Sequence, residues 1–341
     1  MNPASHVATE DQEFLALLVH RGFLGRAEAL AVLKSAQALG SFDRALEEST
    51  GWDPGRVGYL RRTRALSRPE IPGYRMEGLA GAGGTSEVFG ARRFADNRHV
   101  ALKILRPALA LDPPAVTRFL AEARLLRSLE HPAIVRGHRV FKFLATYVLE
   151  MDFVPGRTLE EYLAEGKAFP EEQALDVVKQ VARALEYLRN EGVLHRDLKP
   201  GNLMIDRSGT VKLIDLGFAG KGMEGRLSGG TTLGTPAYLS PEQARGEADL
   251  DVRADIYSLG ATLYHLVIGR LPFQGSDDSE IMRRQILDGL SGAALKGRGV
   301  SPNLHFLVEK MMAKDRSIRF GSPAELAHAI EAHQERQKQL E

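Results

Sequence analysis

Cysteine is absent from all 341 residues. Without thiols the chain can form no disulfide, no thiolate metal centre and no cysteine nucleophile, so its chemistry must be carried by oxygen and nitrogen groups. A charge surplus is missing too: 45 lysines and arginines meet 44 aspartates and glutamates, a formal net charge of +1. That balance excludes bulk attraction to nucleic acid or to an anionic membrane, and partners have to be read from local sites. No apolar run approaches the roughly 20 residues that a membrane span needs, and the start, Met1 to His6, lacks the basic stretch and apolar core of a secretory leader. The expectation is a cytoplasmic protein that engages neither membrane nor nucleic acid. What is present is ordinary globular material, 43% hydrophobic and 26% charged. The chain is longer than one average domain, so a catalytic unit with a smaller companion is expected.

Residues 11–67 show no strand pattern but carry apolar side chains at helical spacing: Phe14, Leu17, Leu18, then Leu30, Val32, Leu33, then Leu46, Val57 and Leu60. The spacing predicts a small all-α module over 1–70. Leu17, Gly22-Phe23 and Leu30 are echoed by Leu46, Gly51-Trp52 and Tyr59, a pattern that fits a duplicated helix-turn-helix with glycine ending each first helix. Residues 67–73 hold Pro69, Pro72 and Gly73, which forbid helix continuation and mark a linker. From Tyr74 the pattern changes to β-branched and aromatic runs at 87–91, 99–105 and 146–151, with a helical stretch at 115–129 between the last two. After Gly156 the chain reads as mainly helical, over 171–190, 254–269, 278–290, 304–312 and 323–337. The fold class is therefore α+β: a helical module, then a small antiparallel sheet lobe and a helical lobe together spanning 74–337, with a cleft expected between the lobes.

Three groups of residues carry chemistry. The run Ala80-Gly81-Ala82-Gly83-Gly84-Thr85-Ser86-Glu87-Val88 follows a predicted strand. Its glycines would let backbone amides approach phosphate oxygens, although a plain hairpin turn reads the same way. Val88-Phe89-Gly90 continues as strand rather than helix, which argues against a dinucleotide fold. Lys103 sits on an otherwise apolar strand, where its charge is costly unless paired, and Glu122 on the next predicted helix is the obvious counter-ion. The third group is His195-Arg196-Asp197-Leu198-Lys199-Pro200-Gly201-Asn202, with Ile214-Asp215-Leu216-Gly217 following one strand pair later. Transfer of a phosphoryl group from ATP needs a divalent metal, a carboxylate near the attacking hydroxyl and cations to offset charge. Asp197 would orient the hydroxyl and take its proton, Lys199 would neutralise the γ-phosphoryl, and Asn202 and Asp215 would hold Mg2+, or Mn2+ in its place, through oxygen.

With these motifs, and with His131-Pro-Ala-Ile-Val135, Gly234-Thr235-Pro-Ala-Tyr238-Leu-Ser240-Pro-Glu242, Asp255-Ile-Tyr-Ser-Leu-Gly260 and Arg319, the stretch from Tyr74 to Gln337 resembles the eukaryotic-like (Hanks-type) protein kinases, above all the bacterial serine/threonine kinases. The resemblance implies a two-lobed kinase fold with ATP between the lobes, and a non-specific serine/threonine protein kinase acting on protein substrates and on itself. It implies adenine held by Val88, Ala101 and Leu203, hinge backbone from Asp152 to Val154 behind gatekeeper Met151, a Glu242–Arg319 pair, and Asp255 bracing the catalytic-loop backbone. It gives Thr235 a place near Asp197 and Lys199. Three residues depart from the family pattern: Leu216 for phenylalanine, Ser240 for alanine, and Ser86 for a third glycine, the last expected to stiffen the loop tip. Phosphorylation at Thr231 or Thr232, with Ser228 as a further candidate, is expected to order the glycine-rich segment after Asp215 through Arg196 and Lys221. The alternative is a pseudokinase scaffold, which typically lacks at least one of Lys103, Glu122, Asp197, Asn202 and Asp215. A small-molecule phosphotransferase is disfavoured by the 234–242 segment. The helical module supplies no catalytic cluster and is expected to fold separately and serve a regulatory partner, so a chain beginning near Ser67 should still bind ATP.

Overall fold

Glycines and small polar residues set the limits of the four helices that open the chain: α1 (Thr9–His20), α2 (Arg26–Leu39), α3 (Phe42–Thr50) and α4 (Pro54–Thr63). Gly40 and Gly51 end α2 and α3 with φ of 65° and 67°, a left-handed backbone that a side chain would strain. Ser41 Oγ then accepts the Arg44 N–H at 3.4 Å, and Asp53 Oδ1 accepts the Arg56 N–H at 3.0 Å, starting the next helix in each case. Phe14, Leu18, Val32, Phe42, Leu46 and Val57 form the helical core. Arg61 ties α4 to α1 and α3 through Asp11 at 2.5 Å and Asp43 at 2.6 Å.

This computed structural model describes residues 7–63, 71–144, 146–216, 235–291, 295 and 300–339. The chain forms two compact units, residues 1–123 with 137–153, and residues 124–136 with 154–341. The opening helices thus share one unit with the sheet lobe. The expected helix–glycine–helix repeat is visible in the order of elements, but its apolar echoes are not equivalent. Leu46 is fully buried whereas its counterpart Leu17 is half-buried, and Leu30 is 61% exposed because Ala29, Val32 and Ala36 occupy the inward face of α2.

The sheet of the first unit is antiparallel throughout, in the order β1 (Tyr74–Ala82), β2 (Ser86–Arg93), β3 (His99–Leu105), β5 (Thr146–Asp152), β4 (Gly137–Phe143). Tyr74, Met76, Phe89, Val100, Leu102 and Val148 cluster in one core. Because strand side chains alternate, Ala101 and Lys103 project from the other face of β3. Helix α5 (Pro113–Ser128) begins where Asp112 Oδ2 accepts the Ala115 N–H at 3.1 Å, and it carries Glu122. A buried charge that no sequence pattern marks lies on β5: Glu150, 0% exposed, is held by Arg93 at 2.6 Å, Arg139 at 2.8 Å and the Tyr74 hydroxyl.

The second unit has a small sheet, β6 (Gly156–Thr158), β7 (Leu203–Asp206) and β8 (Val211–Leu213), with helices α6 (Leu159–Ala164), α7 (Glu171–Asn190), α8 (Pro241–Ala244), α9 (Val252–Ile268), α10 (Asp278–Leu287), α11 (Pro302–Met311) and α12 (Pro323–Lys338). Helix α9 is its axis, buried almost all round and packed against α7 and α11. Gly260 makes that crossing possible, since a Cβ there would lie 2.7 Å from the Met311 Cβ. Helix α9 starts two residues before the expected Ala254 because Asp251 caps it, its Oδ1 accepting the Arg253 N–H at 2.9 Å. Beside α9, Arg319 and Glu242 form a two-pronged pair at 2.6 and 2.8 Å, with side chains 0% and 3% exposed. Among the described residues no helix is long and apolar enough to cross a membrane.

Removing one partner of such a pair leaves a buried charge without compensation. Arg319→Met is expected to lower the unfolding free energy by about 3–5 kcal/mol, and Arg319→Met with Glu242→Leu by distinctly less. Urea titration of the three proteins checks both; equal losses would mean that the pair contributes through packing alone.

Candidate functional site

The first unit contributes the glycine hairpin and a buried ion pair. Strands β1 and β2 pair Gly81 with Val88 and Ala82 with Glu87, and the Gly83 N–H closes the turn on the Ser86 carbonyl at 2.8 Å. The tip is therefore Gly83-Gly84-Thr85. Ser86 is the first residue of β2 and only 6% exposed, so it stands at the start of the ladder beside the tip rather than in it. Neither Gly81 nor Gly84 has a left-handed φ, and a Cβ on either would meet nothing within 4 Å. The chain's own geometry does not require glycine at these two positions, whereas close approach of a ligand to the backbone would. Arg106 steadies the tip, its backbone N–H donating to the Thr85 carbonyl and its Nε to the Gly83 carbonyl, both at 2.9 Å. On β3, Lys103 Nζ lies 2.6 Å from Glu122 Oε1, and both residues are buried. Ala101 pairs with Met151 at the end of β5, and both are buried. The side chain of Asp152 is occupied, its Oδ1 at 2.8 Å from both Arg98 Nη2 and His138 Nε2. What Asp152 can still offer is its backbone.

In the second unit the loop from His195 to Asn202 is held from below and turned outward. Asp255, buried on α9, accepts the N–H of His195 at 2.9 Å and of Arg196 at 2.8 Å, one on each oxygen. Arg196 takes a left-handed φ of 67°, a conformation a non-glycine residue keeps only when its surroundings impose it. Gln243 Nε2 donates to the Arg196 carbonyl at 2.8 Å, so both backbone polar groups of that residue are fixed. Burial pushes the Asp255 carboxyl up from its ordinary value and holds the His195 imidazole down. The neutral ring's Nδ1 accepts the Asp197 N–H at 3.3 Å.

Four predicted residues converge beyond this brace. Asn202 Nδ2 donates to the Asp197 carbonyl at 2.7 Å and to its Oδ2 at 3.1 Å. Lys199 Nζ lies 2.8 Å from Asp197 Oδ2 and donates to Thr235 Oγ1 at 2.9 Å. With both donor contacts of its amide spent on Asp197, Asn202 keeps Oδ1 as an acceptor. The Ile214 N–H donates to the Asn202 carbonyl at 3.0 Å, bringing the half-buried Asp215 next in chain to that residue. Leu203, fully buried, pairs with Leu213 across β7 and β8, Val154 is half-buried, and Leu216 is 1% exposed, in keeping with a packing role. Gln243 was not singled out from the sequence; the Ser-Pro-Glu-Gln run contains it, but nothing in its spacing points to residue 196. Gly217, Lys221, Ser228, Thr231, Thr232 and Gly234 lie outside the described residues.

Comparison with known proteins agrees with this arrangement. A family model described as "Protein kinase domain" matches residues 74–333. A probable serine/threonine-protein kinase of Streptomyces coelicolor is 36% identical over 266 residues, 76% of this chain and 39% of the relative. Serine/threonine-protein kinase PknB of Mycobacterium leprae is 34% identical, over 76% of this chain and 43% of its own length. A probable PknB of Lactococcus lactis is 34% identical over 74% and 40%. The chain thus spans about two fifths of the length of these curated relatives.

Two outcomes follow from the brace. In Asp255→Asn one of the two N–H groups loses its acceptor, at about 1–3 kcal/mol, and amide exchange at residues 195 and 196 should accelerate well beyond that elsewhere on the loop. Because burial keeps His195 neutral, the unfolded chain binds a proton near the ordinary histidine value of 6.5 that the folded chain does not. Stability should therefore fall as pH drops through that value, by at most about 1.4 kcal/mol per pH unit from this group. His195→Phe should flatten the profile by that amount in denaturant melts at pH 7 and pH 5; an unchanged slope would assign the loss to other groups.

Proposed function

This chain belongs to the protein kinase family, and from that premise we propose that it is an active serine/threonine kinase, moving the γ-phosphate of ATP to hydroxyls of protein substrates. The convergence of Asp197, Lys199, Asn202 and Thr235 carries the reading. The Asp197 carboxylate is held through Oδ2 by Asn202 and Lys199 while neither engages Oδ1, the arrangement required of a base that orients an acceptor hydroxyl and accepts its proton. Lys199, already in contact with Asp197 and Thr235, supplies fixed positive charge where the transferred group carries negative charge. Lys103, aimed by Glu122, serves the phosphates of the nucleotide, and the glycine hairpin offers backbone N–H groups to them. Residues 80–88 with Ala101, Met151, Asp152, Val154 and Leu203 form the nucleotide-contacting set. The hinge is read through backbone, since the Asp152 carboxylate is already paired.

Protein kinases use a divalent metal, and the donor set here suits one. Asn202 Oδ1 and the Asp215 carboxylate are hard oxygen ligands, as Mg2+ or Mn2+ prefers. When bound, the ion would neutralise phosphate charge; the chain's part is to keep those oxygens directed to it. The acceptor preference for serine and threonine rests on Lys199 and its Thr235 partner. Self-phosphorylation of the segment between Asp215 and Glu242 at Thr231, Thr232 or Ser228 belongs to the same reading, as does a role for residues 1–70 in tuning activity or partner choice ahead of a catalytic domain over 74–337. The setting is the cytoplasm, where ATP is available.

Purified protein incubated with ATP, magnesium and a protein acceptor tests the assignment, with phosphosite mapping of both proteins. Lys103→Met and Asp197→Asn should each reduce transfer by about 10² to 10³ or more in protein that still folds, and Lys103→Met should also lower the thermal melt because it takes the buried Glu122 carboxylate's lysine partner away. Retained activity in both would refute these residue roles, and absence of transfer by the unmutated protein would favour a scaffold. Asp215→Asn should weaken magnesium-dependent nucleotide binding more than binding of ADP without metal; equal losses in a titration would remove Asp215 from the metal set.

A further inference from the structure

The helices and the sheet of the first unit do not close completely on each other. Between them is a cavity of about 680 Å³, a volume typical of small-ligand sites. Leu17, Phe89 and Ile104 give it apolar walls, while His20, Arg21 and Arg106 bring basic groups against one carboxylate, Glu87. It lies on the reverse of the nucleotide-side residues: alternation along β3 puts Ile104 on one face and Lys103 on the other. Of the residues lining it, phosphoryl transfer as described above uses only Glu87, which falls in the 80–88 run. On one side the walls meet, since a Cβ at Gly22 would be 3.5 Å from the Ala108 Cβ, which suits a small molecule better than a peptide running through.

Arg106 joins the cavity to the glycine hairpin. The guanidinium that lines the cavity also donates from Nε to the Gly83 carbonyl at 2.9 Å and lies 3.5 Å from Glu87 through Nη1. An acid group entering beside it would attract the guanidinium more strongly than a neutral carbonyl does. We propose that the cavity binds a small amphipathic acid, an apolar tail with one carboxylate, and that binding draws Arg106 off Gly83 and loosens the hairpin tip. That this would weaken nucleotide binding rests on the function proposed above; the binding and the loosening do not.

Calorimetry with octanoate and octan-1-ol on the full chain separates the acid from the tail. Octanoate should bind once per chain and about tenfold or more tighter than the alcohol. Leu17→Trp and, on an exposed turn where folding is less at stake, Ala108→Trp should fill the space and weaken octanoate about tenfold with an unchanged melting temperature. Amide exchange at Gly83, whose N–H closes the hairpin, should accelerate about fivefold or more at saturating octanoate. Equal affinity for acid and alcohol, a folded Ala108→Trp that binds like the wild type, or exchange at Gly83 that octanoate leaves unaltered would each overturn the proposal. A chain without kinase activity would still give these readings, so the two proposals can fail separately.

Discussion

A carboxylate sealed inside a helix fixes the chemistry of this protein. Asp255 would be costly on α9 if its charge were left alone. Its two oxygens instead take the N–H groups of His195 and Arg196, and the loop adopts a backbone shape it would not choose freely. Gln243 holds the carbonyl on the far side of the Arg196 residue. With its base fixed in this way, the loop can hold Asp197 against Asn202 and Lys199 without relying on those two contacts for its shape. The brace is only as steady as α9, and α9 is steadied by the close crossing at Gly260 and by the Arg319–Glu242 pair beside it.

The first unit applies the same rule to a different end. Lys103 and Glu122 are both nearly excluded from solvent and satisfy each other, as do Glu150 and its arginines on β5. In each case a buried charge persists because a partner of opposite sign was built into a separate element. The Glu150 cluster, with Tyr74, Arg93 and Arg139, ties four strands together, whereas the Lys103 pair keeps one ammonium group at a defined place on an apolar strand. Preorganised charge of the second kind is what transition-state stabilisation uses, because no reorganisation is left to be done when the reaction occurs.

Much of this was legible in the sequence where the signal is local or the residue types are rare together. The 171–190 helix was placed to the residue by its apolar stripe, and the Lys103–Glu122 pair followed from the cost of a lone lysine between apolar neighbours. Asp197, Lys199, Asn202 and Thr235 were grouped by motif, and their side chains meet. What escaped were contacts between distant parts of the chain. Tyr74 and Glu150 are 76 positions apart, and no periodicity links them. Leu30 has the spacing of a core residue but loses its place to Ala29 and Val32, a choice made by the packing of neighbouring helices. The cavity beneath the sheet is a misfit between two surfaces, and one-dimensional patterns do not record misfits.

The glycine hairpin has an implication for how such a protein changes over time. Gly81 and Gly84 have ordinary backbone angles and open space around them, so alanine at either would fit and, by narrowing the unfolded ensemble, would stabilise the fold by about 0.4–1 kcal/mol. Any search for heat-resistant variants would therefore favour replacing these two residues. Their persistence as glycine would then be maintained against thermostability, by whatever has to approach the bare backbone.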